Sequence, residues 1–133
     1  MKKTVLKEFE QIVGVPMYSA FLNMLKEIGP DARTERISVV IGAMLHFALC
    51  RFADERNENT LGEALIVLNE EPYVAAEQSD EYQRVATFVG ELCKEAGMQN
   101  ERQSSSGTCY SIAENAISHF VSWYNMPWED PYC

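Results

Sequence analysis

The sequence predicts an all-α fold: a single-domain, irregular bundle of five or six helices around a central buried helix at about residues 34–56. Three observations lead there. Residues 37–53, ISVVIGAMLHFALCRFA, are seventeen nearly unbroken apolar positions between Arg36 and Asp54. Around them, apolar residues recur at the three- and four-residue spacing of helices that bury one face. Proline and glycine fall between those periodic segments, and no stretch alternates convincingly enough for a strand.

The central segment is too short and too closely flanked by charge to make a membrane span. A helix apolar on almost every side has to be enclosed by protein, either the chain's other helices or a second copy. The sequence thus predicts that water is excluded from all sides of the stretch bearing Met44 and Phe47. Gly42 costs this helix roughly 1 kcal/mol relative to alanine. With Ala43 and Ala48 it offers small surfaces on which another helix, of this chain or another, can cross closely.

The remaining elements follow in order. Residues 3–14 carry Val5, Leu6, Phe9, Ile12 and Val13 on one stripe, broken by Gly14-Val15-Pro16. A second helix over 17–28 directs Tyr18, Phe21, Leu22, Leu25 and Ile28 inward, and Gly29-Pro30 stops it. Asp31 or Thr34 can cap the central helix. Thr60 and Glu63 form a capping-box pattern for a short helix over 61–70. Residues 72–78 read as a link or the start of the next helix. Residues 79–96 carry the stripe Tyr82, Val85, Ala86, Val89, Leu92, Cys93, closed by Gly97. Residues 98–108, MQNERQSSSGT, read as a mobile loop. A second capping box, Ser111 with Glu114, opens a last helix with Ile112, Ala113, Ala116, Ile117, Phe120 and Tyr124 inward. Pro127 and Pro131 keep residues 126–133 out of regular helix.

Composition narrows the function classes. At 133 residues and 47% apolar, the chain can bury a proper core. Lys7, Glu8 and Glu10 interrupt any apolar core of a signal peptide, so a cytoplasmic protein is the expectation. Cys50, Cys93, Cys109 and Cys133 show no close pairing and read as reduced thiols, the first three as small hydrophobes and Cys133 as exposed. The net charge of −9 is uneven: residues 1–36 carry +1, and residues 54–81 hold nine acidic side chains against Arg56 alone. Without a basic stripe to release counterions, direct nucleic-acid binding is not expected. The acidic stretch reads first as a solubilising surface, and second as a face for a basic partner.

Chemistry-bearing motifs are sparse. His46 and Cys50 stand four apart on one side of the central helix, and with His119 they are the weak candidates for a metal site. No zinc spacing is matched, and a hydrogen-bonded core histidine is the favoured reading of His46. The pairs Glu70-Glu71 and Asp80-Glu81 diverge on a helix, which weakens any paired-carboxylate enzyme. No cofactor is implied.

The aromatic ending stands out. Phe120, Trp123, Tyr124, Trp128 and Tyr132 are five of fourteen aromatic residues and include both tryptophans. They read as a seal for the bundle's open end, or as a docking surface. The functional expectation is a small non-enzymatic interaction or regulatory protein, a homodimer or the binder of a protein partner, with no membrane association. Trp123, Trp128, Tyr132, Glu70, Glu71, Asp80 and Glu81 are its candidate contact residues. The rivals are an acidic mimic of nucleic acid and a metal protein or enzyme using His46, Cys50 and His119.

Overall fold

The apolar stripes become six helices in the computed structural model, which describes residues 4–70, 79–103 and 109–122. They are α1 (Val5–Val13), α2 (Val15–Ile28), α3 (Thr34–Asp54), α4 (Thr60–Glu70), α5 (Asp80–Glu95) and α6 (Ile112–Val121). Two three-residue strands, β1 (Glu101–Gln103) and β2 (Cys109–Ser111), pair antiparallel between α5 and α6. The link at 72–78 lies outside the described residues.

Local chemistry sets several of the boundaries. Thr4 accepts from the Lys7 amide and Ser79 from the Tyr82 amide, capping α1 and α5. Gly14 ends α1 and precedes α2 at φ +91°, a backbone region where a side chain is strained. Pro16 then sits in the first turn of α2, where its missing N–H costs nothing, so the break is narrower than Gly14-Val15-Pro16. Ser111 accepts from the Glu114 amide as predicted.

Two predicted caps are replaced. Arg33, in extended backbone, precedes α3 without a side-chain cap bond, and Thr34 is already helical and buried. At α4, the amide of Gly62 donates to Asn59 Oδ1 at 2.9 Å, so Asn59 performs the role expected of Thr60. Thr60 is taken by a distant partner: its amide and hydroxyl both donate to the buried Glu8 carboxylate, at 3.1 and 2.6 Å. Asn59 also donates to the Glu8 carbonyl at 2.9 Å. One carboxylate on α1 thereby satisfies the start of α4 and ties the two helices together.

The segment expected as a loop is partly ordered by the same need to satisfy helix termini. Met98 is buried, and the Asn100 carbonyl and Oδ1 accept from the Ile112 and Ala113 amides at 2.9 and 3.0 Å. That fixes the chain beside α6 and lets β1 pair with β2. Residues 104–108 lie outside the described residues.

The core is one continuous cluster. Phe9 stacks on Phe88 with centroids 4.5 Å apart, and Tyr18 and Phe21 close on Phe9 from α2. Fully buried side chains such as Phe9 and Phe88 contribute about 1.5–3 kcal/mol each. α3 packs against α1, α2, α4 and α6, with its closest approach at α6. Ser38 Oγ donates to the Ile112 carbonyl, Gly42 meets Ala116 and His119, and His46 lies over Phe120, so α6 runs parallel to α3. A β-carbon on Gly42 would stand 3.0 Å from His119 Cβ and 3.2 Å from the Ala116 carbonyl oxygen. The close crossing read from Gly42 is therefore made by a helix of the same chain.

The enclosure of α3 is incomplete, contrary to the expectation. Met44 is buried, but Phe47 is half-buried, Ala43 is exposed and Val39 is 43% exposed. α2 covers that side loosely: Leu25 is its fully buried residue, while Tyr18, Phe21, Leu22 and Ile28 are half-buried. Phe21 reaches Phe47 edge-on at 5.6 Å, and the flank beside that contact stays open.

Glycine substitutions separate these environments. Gly42→Ala should lower stability by about 1–3 kcal/mol, because His119 Cβ and the Ala116 carbonyl oxygen, both held rigidly by the α6 backbone, obstruct the methyl. Gly90→Ala, with nothing within 4 Å of the new carbon, should raise it by roughly 0.5–1 kcal/mol. Urea denaturation of both variants checks the contrast. In the same assay Glu8→Ala should cost about 1–3 kcal/mol through the amide left unsatisfied at Thr60.

Candidate functional site

Among the described residues, two surface features stand apart from ordinary solvated helix faces. The first is a cleft where the 55–59 turn, α4 and α5 meet, lined by Asn57, Glu58, Glu63, Val67, Glu81 and Arg84. The Glu8 cap lies in its wall, so the cleft's shape depends on the α1–α4 tie. Arg56 approaches Glu63 through two hydrogen bonds of 3.0 and 2.6 Å, a planar fork on a carboxylate. That hydrogen bond holds the Glu63 carboxyl below the usual carboxylate range and raises the guanidinium above its own. Val67 is 37% exposed, giving the cleft an apolar patch between carboxylates. Glu70 ends α4 and Asp80 begins α5, both exposed, while Glu81 is half-exposed in the cleft.

The second feature is an apolar groove between α2 and α3, formed by Phe21, Met24, Val39, Val40, Ala43 and Phe47. Of the five large hydrophobic residues most exposed among the described ones, Val15, Met17, Met24 and Val39 belong to these two helices. Met24 and Val39 line the groove itself, which makes it a candidate contact surface.

The sequence-predicted residues are distributed between these places. Glu81 lines the cleft, whereas Glu70 at the end of α4 and Asp80 at the start of α5 are not part of its lining. Glu71, Trp123, Trp128 and Tyr132 lie outside the described residues. His46 is buried against Phe120, with ring centroids 6.4 Å apart, and edges the apolar groove. His119 instead lines a polar recess with Arg33, Thr34, Glu35 and Asn115, at the start of α3. Cys50 is not a thiol: it is disulfide-bonded, whereas Cys93 keeps its thiol and is buried. The reading of all four cysteines as reduced is corrected at Cys50, and the pair His46 and Cys50 offers no thiolate ligand in this state. Among the described residues no three His, Cys, Asp or Glu side chains gather as a metal-holding group.

Sequence reasoning missed the groove, because hydropathy does not distinguish an apolar residue facing protein from one facing water. It also missed Glu58 as a cleft residue, although the dense acidic charge of residues 54–81 pointed to the region. No protein-family model, no curated protein and no solved structure matches this chain.

The ion pair makes a pH prediction. Glu63 is ionised further into acid than an unperturbed carboxylate, so its pairing with Arg56 is complete above the unfolded-state pKa. It is lost as pH falls through the depressed folded value. Side-chain carbon NMR across the acid range should show Glu63 titrating below a glutamate in a short model peptide, and Arg56→Gln should abolish the difference.

Proposed function

We propose that this protein is a small non-enzymatic interaction or regulatory module that docks a basic partner protein through the cleft between α4 and α5. One observation carries the reading: Glu58, Glu63 and Glu81 come from three separate elements, a turn and two helices, to surround one recess with an apolar patch. A lysine or arginine entering there gains several carboxylates for its head, while its stem lies on Val67. Arg56 and Arg84 add order without balancing the charge, since residues 54–84 remain at net −7. Complementary potentials of this kind accelerate encounter and select partners more than they add affinity.

Convergence around a recess favours docking of a basic segment over imitation of a nucleic-acid backbone, which would present its charges in a row. The recess also differs from a catalytic carboxylate site. Glu63 is held ionised by Arg56, the opposite of the raised carboxyl that serves as a general acid.

An NMR titration with a short synthetic peptide alternating lysine and leucine tests the proposal. Shift changes should concentrate on residues 57–63, Val67 and Glu81, and apparent affinity should fall as salt shortens the Debye length. Glu58→Lys combined with Glu81→Lys should abolish the localised response. Changes scattered over the whole surface, or binding indifferent to the double reversal, would overturn the reading.

A further inference from the structure

The first turn of α3 carries backbone donors that no described residue satisfies. Arg33 precedes the helix in extended backbone, and no side chain caps it. The Ile37 amide closes on the Arg33 carbonyl at 3.2 Å, but the amides of Thr34, Glu35 and Arg36 meet no acceptor among the described residues. At the starts of α1, α5 and α6 a hydroxyl takes up such an amide, from Thr4, Ser79 and Ser111. Among the described helices α3 is the longest, at 21 residues. Its aligned peptide dipoles place partial positive charge at this uncapped end.

A second observation points to a ligand there. Thr34 is 6% exposed, yet it lines the recess between the start of α3 and α6. Its hydroxyl has no hydrogen-bond partner among the described residues. A buried hydroxyl that faces a recess is satisfied by what occupies it.

The other walls supply the remaining chemistry. Arg33 is exposed and has no ion-pair partner among the described residues, and its guanidinium fork fits a tetrahedral oxyanion. Asn115 and His119 stand four apart on one face of α6, and both line the recess. The α3–α6 crossing fixes His119 in place, its Cβ lying against Gly42. At about 440 Å³ the recess has room beyond a phosphate group; small-molecule sites run to roughly 300–1,000 Å³. Glu35 is the one acid among the described lining residues, and its carboxylate accepts rather than donates. It repels a bare anion, whereas a ligand that also places a hydroxyl there is held at both ends.

We propose that this recess binds a small phosphate monoester bearing a free hydroxyl. The phosphate oxygens accept from the first-turn amides of α3, the Thr34 hydroxyl and the Arg33 guanidinium. The ligand's hydroxyl donates to Glu35, and its organic portion lies between Asn115 and His119. The site stands apart from the acidic cleft, and this inference does not rest on the docking proposed there.

Amide NMR of the full chain, in buffer free of phosphate and sulfate, tests it with glycerol 3-phosphate and inorganic phosphate as probes. Glycerol 3-phosphate at millimolar concentration should move the Thr34, Glu35 and Arg36 amides and the Asn115 side-chain amide along one saturating curve. Potassium chloride at equal ionic strength should leave them in place. Thr34→Val, which keeps the side chain's shape, should weaken binding by roughly tenfold or more, the scale of a hydrogen bond to a charged group. Arg33→Gln, at an exposed position, should weaken it as much with the fold untouched. Inorganic phosphate should bind more weakly than the ester, and Glu35→Ala should remove that difference. Shifts that are scattered or do not saturate would overturn the site, as would affinity unchanged in Arg33→Gln or in a folded Thr34→Val. Inorganic phosphate binding as tightly as the ester would overturn the hydroxyl-bearing ligand assigned to it.

Discussion

The crossing of α3 and α6 is the constraint on which the rest of the fold depends. At Gly42 the two helices approach so closely that the neighbouring atoms are the Ala116 carbonyl, the Phe120 amide nitrogen and His119 Cβ. Backbone at that distance cannot move aside. The contact fixes the rotation of α3 about its own axis, which decides where its other residues go. Ile37, Ile41, Met44, Leu45, Ala48 and Leu49 are directed into the core, and Val39 and Ala43 are left outside. It also sets the level of α6, so that His119 falls beside the start of α3 while Phe120 and the end of the helix arrive near His46.

The two candidate surfaces follow from that arrangement. With α6 filling one side of α3, and α1 and α4 closing others, the remaining flank is left to α2, a helix anchored mainly by Leu25. Its light hold produces the apolar groove. The acidic cleft arises elsewhere, from the buried Glu8 that ties α1 to the start of α4 and shapes the turn carrying Asn57 and Glu58. One face is thus rich in carboxylates and another in apolar side chains, two chemically distinct surfaces on one small fold.

Much of the helical framework was legible in the sequence because amphipathic spacing is a local property. On α6 Ile112, Ala113, Ala116, Ile117 and Phe120 are buried as their stripe nominates, and on α5 all but half-buried Ala86. On α1 Phe9 and Val13 are buried, with Val5, Leu6 and Ile12 half-buried; Gly42 announced a close neighbour. Errors arose wherever a distant residue competed with a local motif. Thr60 and Glu63 have the spacing of a capping box, yet Glu8, fifty-two positions away, takes Thr60 and Arg56 takes Glu63. Asn100 ordered a segment whose composition alone suggested a loop. For α3, hydropathy overstated enclosure, since Val39 and Phe47 are as apolar when solvated as when buried. The candidate site was legible only as a charge imbalance; its convergence on a cleft, and the oxidised state of Cys50, depend on folded neighbours that spacing does not reveal.

Native-state hydrogen exchange, resolved by residue, tests the central claim most directly. If the α3–α6 crossing organises the fold, the amides of Ile41–Ala48 and Ala116–Phe120 belong to the slowest class and open together in the global unfolding step. Exchange of the α3 amides well before those of α4 and α5 would show that the fold survives without this contact, and would contradict the account.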